Sequence, residues 1–303
     1  MSNLKTAFNS IILLIFLILN GCATFEFTKS APAQPLPINI QVTNEMPSKM
    51  SDLPLGYQIP DSGVFIMGEQ KIGTAFGIIG ISASILADEA RLSQTVNDVK
   101  NNFKIELIDY LTTASKNLIS EGYGEYFTQK KAPGMPTLLI SPALILAPVD
   151  KKELLPIVLL KVNLLNTSGS DVWETRYFVS SGEIRPLVGD GSWSTNDAEF
   201  LKKLIQKNTM IAMETVFADL SKPFKRDEKN LVKVKGRFTY YDGLAEFVGY
   251  KVRENKDWLT FIPIFSDQII NTGVTVVDKS SVVFSAVDPE GEYKSTLEKI
   301  NSK

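Results

Sequence analysis

Histidine is absent from all 303 residues, and cysteine occurs once, at Cys22. Without imidazole there is no Ser-His-Asp or Cys-His nucleophile, no histidine general acid or base and no histidine metal ligand. A single cysteine also forbids a disulfide within the chain. Carboxylate chemistry, Ser-Lys chemistry or no chemistry remains. Ser2 and Lys5 have Ser-x-x-Lys spacing, but they precede an apolar N-terminal run rather than a folded site. Asp88 with Glu89, Asp150 with Glu153, and Asp190 with Asp197 are near in sequence. Glycoside hydrolysis needs two carboxyls at a set separation in a cleft, and 34 acidic residues make such neighbours frequent by chance. Trp173, Trp193 and Trp258 could stack on a sugar, but each sits in an apolar pattern and is expected as core or rim. No catalytic residue, metal ligand or cofactor is assigned, and the chain is expected not to be an enzyme.

Two stretches could bind rather than react. Lys233, Lys235 and Arg237 alternate with Val232, Val234 and Phe238, and Lys251 and Arg253 recur on a return strand after the Asp242-Gly243 turn. With a simple register these five cations share a face for anionic headgroups, lipopolysaccharide phosphates or an acidic partner. A solvated strand face is the plainer reading, and Glu246 and Asp257 dilute the field. Ile72 to Ala87 carries no charge and contains Gly73, Gly77 and Gly80. The Gly73 and Gly77 spacing permits close helix approach. The stretch reads as a buried, tightly packed segment, or as one that touches the bilayer or a second copy. Gly189-Asp190-Gly191 precedes a helix but lacks a phosphate-loop ending, so a loop with a helix cap is expected there.

Cys22 itself follows an ordered series. Lys5 is followed by an unbroken apolar run from Ile11 to Leu19, then Asn20, Gly21 and Cys22. The run is shorter than the roughly 20 residues of a spanning helix and fits a signal segment. An ordinary signal peptide or an uncleaved anchor would share these features. Leu19-Asn20-Gly21-Cys22 resembles the lipobox of bacterial lipoproteins, with Asn20 a less usual choice than Ala or Ser. That resemblance implies cleavage between Gly21 and Cys22 and a diacylglyceryl group on the Cys22 thiol. Two or three chains, at about 0.8 kcal/mol per buried methylene, anchor stably. Ala23, where inner-membrane lipoproteins often carry Asp, points to the outer membrane.

The elements that would carry these groups follow from periodicity. Apolar content of 44% and charged content of 22% are those of a folded globular chain, and a net charge of −2 argues against bulk nucleic-acid binding. Residues 1–21 read as the signal peptide and 22–37 as the lipidated cysteine and an extended spacer. Its fifteen residues after Cys22, punctuated by Pro32, Pro35 and Pro37, would reach roughly 45 Å. Residues 38–222 read as an α+β domain: strands at Ile38 to Val42 and Val64 to Met67, a helix from Ser93 to Glu121 ended by Gly122, and buried strands at Thr137 to Ala147 and Leu154 to Leu165. Pro142 and Pro156 would mark bulges or strand starts. An alternating strand, Val172 to Ser180, leads to a second helix, Ser194 to Leu220, with a Ser194 and Asp197 capping box. Residues 223–303 read as a separate small β domain, a barrel or meander, with Lys222 to Lys229 as the boundary. The expected fold class is α+β: two long helices packed on an antiparallel or mixed sheet, followed by a small all-β module.

The order strand, apolar Gly-rich stretch, helix, strands, helix over residues 38 to 222 looks like small α+β domains of Gram-negative envelope lipoproteins, including accessory lipoproteins of transport and peptidoglycan-synthesis machines. The curli-secretion channel lipoproteins are similar in outline. The resemblance implies assembly or binding rather than catalysis. The expectation is an outer-membrane-anchored periplasmic lipoprotein acting as a non-enzymatic accessory, assembly or partner-binding factor of an envelope complex. Its partners would be the membrane, through Cys22, and an envelope protein or a second copy, with no nucleic acid. An oligomeric membrane-inserting or channel-forming lipoprotein, and a carboxylate-dependent cell-wall glycan enzyme, are the alternatives.

Overall fold

Two long apolar runs form the centre of the sheet in this computed structural model, which describes residues 30–47, 53, 56–59, 63–67, 105–150, 153–238, 243–264 and 273–287. They are β5 (Thr137–Pro148) and β6 (Glu153–Leu165), paired antiparallel along their lengths. Asp150 closes their turn by accepting from the Glu153 N–H at 2.9 Å. Both faces are buried, which is why the runs read as continuous rather than alternating. Leu138, Ile140, Leu144 and Leu146 enter one core, and Ala143, Ile145 and Ala147 enter another on the opposite face.

The strand prolines lie inside the strands, not at starts or bulges. The edge of β5 changes partner midway. β1 (Ile38–Val42) runs parallel to its first half and β3 (Val64–Met67) to its second. The Thr43 N–H donates to the Ile140 carbonyl and the Leu144 N–H to the Gly63 carbonyl. Pro142 faces the same edge between them, where no strand asks for an N–H. Pro156 of β6 repeats the device. It lies between the part of β6 that pairs with β7 (Asp171–Ser180) and the part that pairs with β8 (Arg185–Pro186).

Short strands β2 (Gly56–Gln58) and β4 (Phe127–Thr128) border β3 and β1. The chain then continues through β9 (Leu231–Gly236), β10 (Ala245–Glu254), β11 (Trp258–Pro263), β12 (Val274–Asp278) and β13 (Val283–Ala286). These strands correct the expectation of a separate small all-β module. β12 pairs parallel with β7, from Val274 opposite Tyr177 to Val277 opposite Ser180. The result is one mixed sheet of thirteen strands, ordered β13-β9-β10-β11-β12-β7-β6-β5-β1-β4 along its main path. The later strands keep a local core of Val232, Val234, Phe247, Leu259 and Phe261, which explains why they read as self-sufficient.

Two helices cover one face. α1 (Leu107–Leu118) runs on into a π-helical turn, Ile119–Tyr123, and ends where Gly122 takes a φ of 149°. The expected unbroken helix from Ser93 is not formed: Ile105 and Glu106 are not helical, and Glu106 stands at the N-cap of α1 with φ −94° and ψ 81°, while residues 93–104 lie outside the described set. α2 (Thr195–Ser221) lies across β6 and β7 and against α1. Phe217 of α2 stacks on Phe127 with ring centroids 4.1 Å apart, an interior pair whose truncation costs about 3–5 kcal/mol. The expected capping box is not formed. Ser194 makes no side-chain cap, and Asn196, Asp197 and Ala198 open the helix at φ of 50°, 54° and 60°. Among the described residues, no helix is long and apolar enough to cross a membrane.

Candidate functional site

Cys22, Gly21, Gly73, Gly77 and Gly80 lie outside the described residues. The five cations are placed, and they do not make one row. β9 and β10 pair odd residues with even ones, so Lys251 alternates to the face opposite Lys233 and Lys235, and the β10 register against β11 then shifts between Lys251 and Arg253. Lys233 and Lys235 share one face of β9, opposite Val248 and Glu246. The Lys233 ammonium is 3.6 Å from the Glu246 carboxylate. Arg237 reaches back to the Val149 carbonyl at 3.4 Å. Lys251 pairs with Glu254 at 3.3 Å, and Arg253 with Glu214 of α2 at 2.7 Å.

The other expected groups have structural work. Trp193 is fully buried and donates through Nε1 to the Leu154 carbonyl at 2.9 Å. Trp173 and Trp258 are also buried. Gly191 turns its carbonyl to Arg185 at 3.1 Å and Gly189 turns its carbonyl to the Thr195 hydroxyl at 3.0 Å. The loop before α2 is thus consumed by internal bonds.

Lys251 and Arg253 lead to a different place. They form one wall of a cleft of about 710 Å³ at the C-terminal end of α2. Tyr123, Ala218 and the connection from Lys222 to Asn230 form the rest. A second hollow, of about 830 Å³, shares Phe224 and its neighbours with the first and includes Ser30, Arg226 and Lys229. The connection between the hollows is held by its own backbone. The Lys222 N–H donates to the Ala218 carbonyl at 3.0 Å, and the Asn230 N–H to the Asp227 carbonyl at 2.8 Å. The Asn230 side chain donates to the Lys251 carbonyl at 3.2 Å.

A buried carboxylate ties this connection to the sheet. Asp219, 7% exposed, accepts from the Tyr177 hydroxyl at 2.9 Å and from the Phe224 N–H at 2.9 Å. Burial pushes its carboxyl above the ordinary value. The Phe224 N–H, the Tyr177 hydroxyl and the Arg226 charge oppose that shift. The Tyr177 phenol is pushed well up by burial and by the Asp219 charge. Arg226 then donates to the Ser30 hydroxyl at 2.7 Å, and Ala31 packs against the main core. A chain of contacts therefore runs from β7, through α2, to the first described residues. The described end of the expected spacer lies against the fold.

The charges outside this network are unbalanced. Lys222, Lys225 and Lys229 are exposed and have no side-chain hydrogen bond or ion pair among the described residues. Such a surface is suited to an anion by charge alone. Among the described residues, no group of three or more acidic, histidine or cysteine side chains is placed to hold a metal ion. Sequence reasoning took this connection for a domain boundary because its charge density resembles a linker. It missed Asp219 and Tyr177, whose only signal was a carboxylate and a phenol on the apolar faces of a helix and a strand.

No family model matches the chain, and no curated protein matches it. Among solved structures, it is weakly similar to a minor lipoprotein from Acinetobacter baumannii, at 13% identity and a TM-score of 0.29, over 37% of this chain and 82% of that one. It is also weakly similar to an inferred lipoprotein from Caulobacter crescentus CB15, at 14% identity and a TM-score of 0.25, over 37% of this chain and 78% of that one.

Proposed function

We propose that this chain is an envelope lipoprotein, held in the outer membrane by acyl chains on Cys22, that serves an envelope protein complex as a non-enzymatic accessory or assembly factor on the periplasmic side. The observation that carries the reading is the ordered series of Lys5, the apolar run to Leu19, and Gly21-Cys22. Three further features support it. The single cysteine leaves no competing role for a thiol, and the absence of histidine removes the commonest acid–base group. The first described residue, Ser30, also lies beside exposed lysines of the connection after α2.

In-cell crosslinking of the tagged full chain beside Cys22→Ser tests this reading. A defined set of envelope proteins captured by the wild type and lost from the variant is the expected result. A clean monomer, uncrosslinked in both, contradicts it.

A further inference from the structure

We propose that the connection from Lys222 to Asn230 lies against the membrane and binds anionic phospholipid headgroups. It would be a second, electrostatic contact beside the acyl anchor. The inference rests on the lipoprotein reading for the position of Cys22, and on the fold for everything else.

The first element is reach. The hydrogen bond from Arg226 places Ser30, the first described residue, at the second hollow. Eight residue steps separate Ser30 from Cys22. Fully extended, they span at most roughly 29 Å. Acyl chains on Cys22 therefore keep Ser30, and the hollow it shares with Arg226 and Lys229, within that distance of the bilayer surface.

The second element is charge. Lys222 to Asn230 holds four cations and two carboxylates in nine residues. Lys222, Lys225 and Lys229 keep their ammonium groups exposed and unpaired among the described residues. Of the neighbouring cations, Arg253 pairs with Glu214 and Lys251 shares Glu254 with Lys279, so the ammonium groups without an ion pair are those of the connection. A basic segment at an anionic surface gains about fivefold in binding per lysine, and the gain fades beyond a Debye length.

The third element is rigidity. Asp219 holds the Phe224 N–H, and Asp227 and Asn230 close the following turn. The lysines are thus presented on a fixed loop, with little ordering left to lose on contact. The helix dipole accounts for a cation at Lys222, the residue capping α2. It does not reach Lys229.

The test uses the acylated full chain. Acylation occupies the Cys22 thiol, so Lys225→Cys supplies a single thiol for a polarity-sensitive dye. Asp190→Cys is the comparison site, exposed before α2 and roughly 35–40 Å away along the helix. Each labelled protein is reconstituted in phosphatidylcholine vesicles with or without phosphatidylglycerol. The expected result is a blue shift and headgroup quenching at position 225, only with phosphatidylglycerol and reversed by salt, with no change at 190. Lys222→Gln with Lys229→Gln should weaken that contact by about 25-fold, and arginine at both positions should restore it. An acylated chain whose 225 label ignores phosphatidylglycerol overturns the inference and leaves the lipoprotein reading intact. A Cys22 thiol that reacts with the dye overturns both.

Discussion

α2 begins in a left-handed turn beside a neutralised arginine and ends in a hydrogen-bonded connection with three lysines that form no ion pair among the described residues. At the start, Arg185 pairs with Glu183 at 2.6 Å, donates to the Gly191 carbonyl and lies 4.1 Å over the Phe200 ring. The backbone there is costly. Three successive residues other than glycine sit at positive φ, at about 1–2 kcal/mol each. At the finish the backbone N–H groups of Lys222, Phe224 and Asn230 are satisfied, and the cost is electrostatic: a buried Asp219 carboxylate and surface charge without an ion pair. The contrast separates two uses of cations. Arg185 is part of the packing, so its charge is spent inside the fold. Lys222, Lys225 and Lys229 contribute nothing visible to packing, so an external anion is the partner their placement suits.

The sharpest way to break this contrast is at Asp219. Asp219→Ala should strand the Tyr177 hydroxyl and the Phe224 N–H in a buried site and cost about 3–5 kcal/mol in urea denaturation. A loss under about 1 kcal/mol would show that the carboxylate does not clamp the connection. Tyr177→Phe should cost about 1.5–3 kcal/mol, as expected for a hydrogen bond to a charged group. It should also change the pH profile. Folding raises the phenol's pKa, so its contribution is complete below about pH 10 and is lost as pH rises through the folded value. The phenylalanine variant should lack that alkaline loss. Asp219 follows the same sign in acid, because folding raises its pKa too. Its contribution is complete below about pH 3.9 and falls as pH rises through the folded value, and Asp219→Asn should remove that slope.

Smaller effects sharpen the other end. Asp197→Gly should stabilise the fold by about 1 kcal/mol, because glycine meets a φ of 54° without steric cost. Arg253→Ala should cost less than about 0.5 kcal/mol and nothing at high salt, since both partners of the Glu214 pair are 40% exposed. Lys222→Gln with Lys229→Gln should leave unfolding within about 0.5 kcal/mol of the wild type. A large loss there would mean that these lysines hold the fold together.

Periodicity was legible wherever burial was one-sided or complete. The apolar runs at β5 and β6, the alternation of β7 and the length of α2 all fall where their patterns place them. Three things were not legible. The proline positions in β5 and β6 depend on where neighbouring strands end, which is long-range information. The joining of β12 to β7 depends on a crossover through β8, α2 and three further strands, and nothing local in Val274 to Asp278 marks its partner. Arg176 reads as the solvent face of an alternating strand but is fully buried, because both faces of this sheet are covered. The basic row failed for a similar reason: alternation along one strand does not say which residues of the next strand lie opposite, and β9 and β10 pair odd residues with even ones, which turns Lys251 to the other face before β10 shifts register between Lys251 and Arg253.

The measurement that bears most directly on the central claim is the chemical state of Cys22 in cells. Cells expressing the full chain, or Cys22→Ser, would be fed an alkyne-bearing fatty acid, and the purified protein weighed intact. The lipoprotein account predicts label on the wild type alone, with a mass for a chain that begins at acylated Cys22. An unlabelled protein, whether cut with a free Cys22 thiol or retaining residues 1–21, would contradict it.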